Sequence, residues 1–288
     1  MGCYFPVGCY CNDGSLSYRP CGKCLGCRLE YSKQWAARCV HEASLHEANS
    51  FITLTYNDEH LPKNKSIDRK ELQKFIRRLR KKIAPDKIRF FACGEYGEKF
   101  TRPHYHACLF GYDFPDKQVL KTKRFQNPFV KKLGNRDLDI LYTSELLGKV
   151  WEKGFHSIGK MSFESAAYVA RYVTKKINGK QEASHYGDKT PEFALMSRRP
   201  GIGKKWIEKY LTDCYPKDFH TINGIKMRPC RFYDEVCKER YPEMFEKVKE
   251  KRKEAAEEQP YQNDKRRIQR QLYRKNVTSR LERELENG

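Results

Sequence analysis

The sequence predicts an α+β fold: an antiparallel sheet flanked by helices, preceded by a Cys-rich N-terminal element and followed by a charged C-terminal tail. Three observations predict it. Short β-branched and aromatic runs at 51–56, 88–93 and 104–112 are interleaved with segments of helical period. Six of the twelve cysteines fall in the first 27 residues. From about residue 245 the chain is highly charged, low in aromatics and helical in pattern.

Each element has its own reason. Residues 1–27, rich in Cys, Gly and Tyr, have no helical period and read as a loop-rich knuckle. A helix over about 28–47 follows from Leu29, Trp35, Ala36, Cys39, Val40 and Ala43 at three-to-four spacing. Phe51–Tyr56 alternates as a strand. Over 68–83 the stripe Leu72, Phe75, Ile76, Leu79 and Ile83 predicts an amphipathic helix. Asp68 and Glu71 have capping-box spacing at its start, and Pro85 stops it. Ile88–Cys93 and His104–Tyr112 read as hairpin strands around a Gly94–Pro103 turn. Residues 117–136, with seven Lys or Arg and no acid, read as an inserted basic loop. Helices are expected over 141–153 and 165–177, a strand over 155–161, irregular chain over 186–203 and a short helix over 204–211. The expected domains are a Cys-rich zinc knuckle plus helix (1–48), a catalytic core (49–215) and a basic, charged extension (216–288).

Composition narrows the function classes. The chain has 288 residues, and 58 Lys plus Arg against 37 Asp plus Glu give a net charge of +21. Such a charge points to a polyanionic partner. No apolar run approaches a membrane span, and mean hydropathy is −0.87. The start, Met1-Gly2-Cys3-Tyr4-Phe5-Pro6, lacks the basic and apolar regions of a signal peptide. Secreted and membrane-spanning readings are therefore not expected. In a reducing compartment, metal binding accounts for the cysteine cluster better than disulfides. The later cysteines (Cys39, Cys93, Cys108, Cys214, Cys230, Cys237) read as small buried hydrophobes.

Four constellations could carry chemistry. His104 and His106 share one face of a strand and make a divalent-metal half-site. Glu95, at the end of the preceding strand, could complete two imidazoles and one carboxylate, leaving coordination positions open. Glu98 is the competing carboxylate. An isolated His-x-His pair is more often a polar strand face, so this context matters. Tyr168 and Tyr172 stand one helical turn apart, with Lys175 three residues on. Alone, such a pair usually packs; beside a metal and a cation, a phenol can act as a nucleophile towards phosphate. Cys21, Cys24 and Cys27 form overlapping C-x-x-C steps and need a fourth ligand: Cys3, Cys9 or Cys11. Finally, residues 63–82 carry ten Lys or Arg against two acids. With 117–136, Arg198, Arg199, Lys204 and Lys205 they form phosphate-binding stretches, and Phe125, Phe129, Tyr186 and Trp206 could stack bases. Gly201-Ile202-Gly203-Lys204-Lys205 is not a Walker loop, because Arg198 stands where the first Gly belongs and Lys205 where Ser or Thr does.

The strand Phe51–Tyr56, then His104-Tyr105-His106, then Tyr168-x-x-x-Tyr172-x-x-Lys175 resemble, in order, the three motifs of HUH endonucleases. The sequence is most similar to the rolling-circle replication initiators of microviruses, small single-stranded DNA bacteriophages, in their gokushovirus branch. The resemblance runs from about Cys3 through Trp206. It includes Pro20-Cys21-Gly22-Lys23-Cys24, His41-Glu42-Ala43-Ser44-Leu45-His46 and Ser197-Arg198-Arg199-Pro200-Gly201-Ile202-Gly203. Tyr105 is a large, partly polar occupant of the hydrophobic "U" position.

The resemblance implies Mg²⁺ or Mn²⁺ held by His104, His106 and Glu95, and nicking of a single-stranded DNA origin. One tyrosine would form a 5′-phosphotyrosine link and free a 3′-OH primer, the other would cleave after one round and pass the strand back to close a circle, and Lys175 would assist at the phosphate. It favours Cys3 as the fourth ligand of a structural Zn²⁺. A host replicative or repair helicase and a polymerase would be partners, in the bacterial host cytoplasm. Two other classes stay open: an HUH transposase or relaxase, and a non-catalytic zinc-knuckle nucleic-acid binder in which the histidines and tyrosines merely pack. Burial of both tyrosines, or a separation above about 10 Å from the histidines, would favour the binder, since metal-site chemistry needs contact at a few ångströms.

Overall fold

The computed structural model describes residues 2–10, 14, 16–97, 102–120, 140–175, 184, 186–257 and 264–279; of these, 172–175, 256–257, 264 and 278–279 are described by backbone alone. It divides into two compact units, Trp35–Gly203 and Met1–Gln34 with Lys204–Gly288.

Alternation of side chains along three long strands organises the first unit. These are β3 (Asn49–Tyr56), β4 (Arg89–Tyr96) and β5 (Pro103–Phe110). The shorter β6 (Gln118–Val119), β7 (Tyr142–Thr143), β8 (Gly154–Lys160) and β9 (Phe193–Met196) complete a seven-stranded sheet in the order β6-β7-β8-β3-β5-β4-β9. Every pairing is antiparallel. Along the central strands Ile52, Leu54, Tyr56, Ala92, Tyr105, Ala107 and Leu109 serve one face. Phe51, Phe91, Cys93, Cys108 and Phe110 serve the other.

Four helices cover the two faces. α2 (Arg69–Lys82) and α3 (Glu145–Trp151) pack on the Ile52 face through Leu72, Phe75, Ile76, Leu79, Leu147, Val150 and Trp151. α1 (Leu25–Ala43) and α4 (Phe163–Lys175) pack on the Phe51 face through Ala36, Cys39, Ala166, Val169 and Ala170. Asp68 caps α2 by accepting from the Lys70 amide. Glu71 does not close the expected box: it is buried and accepts from Lys153 Nζ at 2.8 Å. Tyr105 is fully buried on the α2 side, and its hydroxyl bonds the Asp68 N–H (2.8 Å) and carbonyl (3.1 Å). A partly polar residue fits the "U" position because its tip closes the start of α2.

Two expectations give way here. The segment 186–203 was expected to be irregular, yet Phe193–Met196 forms β9; four residues bounded by turns show too little alternation to be read as a strand. The helix expected from 141 begins only at Glu145, because Tyr142 and Thr143 pair in the sheet and Ser144 caps the helix through the Leu147 amide.

The second unit begins with a hairpin, β1 (Val7–Tyr10) with β2 (Leu16–Arg19). It continues after the first unit with α5 (Lys204–Lys209), α6 (Leu211–Cys214), the hairpin β10 (His220–Ile222) with β11 (Ile225–Met227), α7 (Arg231–Arg240), α8 (Pro242–Glu257) and α9 (Asp264–Ser279). Asn223 and Gly224 turn the second hairpin with φ of 49° and 77°. Ile207, Leu211, Tyr215, Tyr233, Val236 and Val248 form a core. Beside it Arg252 bonds both Asp218 and Asp234.

Candidate active site

Strand register builds this site. Glu95 of β4 lies directly opposite His104 of β5, and on the other side of β5, Thr55 and Thr53 of β3 lie opposite His104 and His106. All five therefore project to one face, the one that carries α1 and α4. The Thr55 hydroxyl meets His104 Nδ1 at 2.9 Å, and the Thr53 hydroxyl meets His106 Nδ1 at 3.0 Å. Each imidazole is thus fixed through Nδ1, which leaves its orientation set and Nε2 for another partner.

The ligand candidates come together. His106 Nε2 lies 2.6 Å from Glu95 Oε1, and the two imidazole centroids are 6.3 Å apart. Glu95 and His106 are buried, whereas His104 is half-buried and marks the accessible side. Burial, then the neighbouring His106 and Arg102, push the His104 pKa down to about 4. Its lone pair is therefore available at neutral pH, as a metal ligand requires. Glycine at 97 leaves room beside this ring, since a Cβ there would stand 2.8 Å from His104 Nε2.

α4 brings Tyr168 over the same place. Its ring sits edge-on to His106 at 4.9 Å and edge-on to Phe51 at 6.3 Å. Its hydroxyl donates to Glu95 Oε1 at 3.4 Å. Tyr168 is 6% exposed, so it meets the proximity criterion for chemistry while remaining buried. Tyr172 and Lys175 lie on the last turn of α4, but their side chains fall outside the described ones, and Glu98 falls outside the described residues.

The other candidates divide. Cys3, Cys21, Cys24 and Cys27 converge, every pair of sulfurs within 4.8 Å. Cys9 lies on β1, with its thiol on the Val7 carbonyl, and Cys11 is outside the described residues. Cys39, Cys93, Cys108, Cys214, Cys230 and Cys237 are buried. Of the aromatics expected to stack bases, Tyr186 is buried with its hydroxyl on Glu192, and Trp206 packs against Tyr210 and Tyr233. Their surfaces are used internally. Phe125 and Phe129 lie outside the described residues. The basic residues of α2 are largely exposed, but α2 covers the sheet face opposite the histidines.

Sequence reasoning missed Thr53, Thr55 and Glu42. A Thr-x-Thr strand beside a His-x-His strand was the signal for the first two. Glu42 is 1% exposed and bonds Arg89, the Gly203 amide (2.7 Å) and His46 (3.5 Å). With Arg38 on the Ile202 carbonyl and Arg89 on the Pro200 carbonyl, it pins the 197–203 loop, which leaves Arg198 and Arg199 exposed.

A family model described as Replication-associated protein ORF2/G2P matches residues 49–177. Replication-associated protein VP4 of Bdellovibrio phage phiMH2K is 34% identical over 255 residues, 83% of this chain and 75% of that one. Replication-associated protein ORF2 of Spiroplasma virus 4 is 34% identical over 260 residues, 84% and 75% of the two chains. Replication-associated protein ORF4 of Chlamydia phage 1 is 29% identical over 228 residues, 76% and 53%. No solved structure matches the chain.

Proposed function

Since the chain belongs to the replication-associated proteins of the microviruses, we propose that it initiates rolling-circle replication by nicking single-stranded origin DNA and later rejoining it. The observation that carries this reading is the meeting of His104, His106, Glu95 and Tyr168 at one place on one sheet face. Two imidazoles and a carboxylate suit Mg²⁺ or Mn²⁺ with positions left for phosphate oxygens. His104, His106 and Glu95 would hold a divalent cation, which would supply Lewis-acid polarisation of the scissile phosphate.

The chain supplies the rest. Thr53 and Thr55 hold the imidazoles so that no reorganisation is needed when DNA arrives. Glu95 orients the Tyr168 phenol through its hydrogen bond. A tyrosine oxygen attacks phosphorus as its phenol gives up a proton, the bond to the 3′-oxygen breaks, and that oxygen takes up a proton to leave as a 3′-OH. The phosphodiester is conserved as a 5′-phosphotyrosine; after one round the second tyrosine of the Tyr168/Tyr172 pair cleaves the regenerated origin, and the 3′-OH so freed attacks the first phosphotyrosine, expelling that phenol and closing the circle without a nucleotide. Lys175, one turn beyond Tyr172, adds positive charge at the phosphate. In this reading a host helicase separates the strands and a host polymerase extends the primer.

The burial of Tyr168 favours a second reading, in which the tyrosine packs the site of a non-catalytic binder. An SDS-stable adduct assay separates the two. Labelled single-stranded origin DNA is incubated with Mn²⁺ and wild type, Tyr168→Phe, Tyr172→Phe, the double variant, or His104→Ala/His106→Ala. Adducts in wild type that vanish in the double and histidine variants support the nickase. Intact DNA binding without adducts across origin candidates would sink it.

A further inference from the structure

The cysteine cluster lies outside everything the nicking reaction uses, and its geometry is specific. Cys21 Sγ and Cys27 Sγ are 3.9 Å apart, and Cys24 Sγ and Cys3 Sγ are also 3.9 Å apart. Those pairs are opposite edges of a tetrahedron whose sulfur–sulfur separations all stay within 4.8 Å. Four sulfurs bound to one Zn²⁺ at about 2.3 Å would stand about 3.8 Å apart. A disulfide would bring two of them to about 2.05 Å, which no pair approaches. We propose that Cys3, Cys21, Cys24 and Cys27 form a resident tetrathiolate Zn²⁺ site that folds the N-terminal segment.

The backbone around the sulfurs is built for thiolates. The Cys21 amide donates to Cys3 Sγ at 3.2 Å, the Tyr4 amide to Cys24 Sγ at 3.3 Å, and the Cys24 amide to Cys21 Sγ at 3.3 Å. Such bonds offset the charge that four thiolates leave on a zinc site. α1 begins at Leu25, so its positive N-terminal end lies between the ligands Cys24 and Cys27. Close approach also has a cause: a Cβ on Gly26 would fall 1.7 Å from the Gly2 carbonyl oxygen, so glycine there lets residue 2 and its neighbour Cys3 reach the knuckle.

There is also a reason for the metal. Among the described residues the buried apolar set here is Cys3, Tyr4 and Cys24, with Cys21, Leu25 and Cys27 partly buried against it. Ordering the backbone of such a loop-rich segment costs more than so small a cluster returns, whereas structural zinc contributes its binding free energy to folding. Cys3, eighteen residues before Cys21, cannot be held by the C-x-x-C steps alone.

The full chain, purified without added metal, tests this. Mass-spectrometric metal analysis should give about one zinc per chain. Iodoacetamide mapping should find these four thiols protected until a chelator is added. Cys24→Ser should lower the zinc content at least about five-fold, while His104→Ala/His106→Ala keeps it. Zinc retained in Cys24→Ser, iron in place of zinc, or four thiols alkylated as readily before chelation as after would overturn the proposal. If Cys24→Ser does not fold, the wild-type metal content and alkylation map decide alone.

Discussion

Glycine at 97 shows how narrowly the site is fitted. A methyl group there would stand 2.8 Å from His104 Nε2, the nitrogen left over once Thr55 has engaged Nδ1. We predict that Gly97→Ala abolishes Mn²⁺-dependent adduct formation while leaving DNA retention near wild type; undiminished adducts would show that Nε2 is not the working nitrogen. The threonines give a graded test. Thr53→Val and Thr55→Val keep shape but lose the hydroxyl, and loss of a group that orients a ligand histidine costs about 10–100-fold in metal affinity or activity. Manganese titration of the adduct yield reads this directly, and an unchanged midpoint would refute the role.

Helix α3 illustrates stability at the scale of an element. Asp116 accepts from the Ser144 hydroxyl at 2.6 Å and the Leu146 amide at 2.8 Å, and Ser144 in turn caps α3. Burial opposes the Asp116 charge, but these donors outweigh it and hold the carboxyl below its usual range. Its folded pKa is therefore lower than the unfolded one, so the contribution is present above about pH 4 and is lost as pH falls through the folded value. Asp116→Ala should cost about 1 kcal/mol at pH 7. That difference should shrink on acidification below about pH 4 in urea melts; a constant gap would contradict the account. The 197–203 loop depends on a less replaceable group. Glu42→Ala would leave Arg89, which also bonds the Pro200 carbonyl, without its buried carboxylate. Losing one partner of a buried pair costs about 3–5 kcal/mol, so thermal unfolding within about 1 °C of wild type would rule the hub out.

At the scale of the whole molecule, the net charge is +21 and part of it stands on α2. The exposed Lys70, Lys74 and Arg77 of α2 lie across the sheet from the histidines. They do not reach the histidines, yet they can hold flanking DNA by counterion release. Replacing all three by Glu should weaken retention of long single strands and flatten its dependence on salt, with adduct yield on a short origin oligonucleotide unchanged at saturating protein. Loss of adducts on that oligonucleotide would instead place α2 at the cleavage site.

The α+β class, the amphipathic helix α2, the strand Phe51–Tyr56 and the pairing of Cys3 with the C-x-x-C steps were legible because period, spacing and residue type are local properties or carry a family resemblance. The histidine pair was legible for the same reason: two residues apart on a strand means one face. Tertiary structure decided what depends on register and packing. It set Thr53 and Thr55 opposite the histidines, buried Glu42 under a loop 161 residues away, and spent Tyr186 and Trp206 on internal contacts. It also recruited Phe193–Met196 as a strand, since a four-residue segment gains its pairing only from the neighbour β4 already in place. A chain encodes which faces are apolar; which residues meet across those faces is fixed only when the strands have chosen their partners.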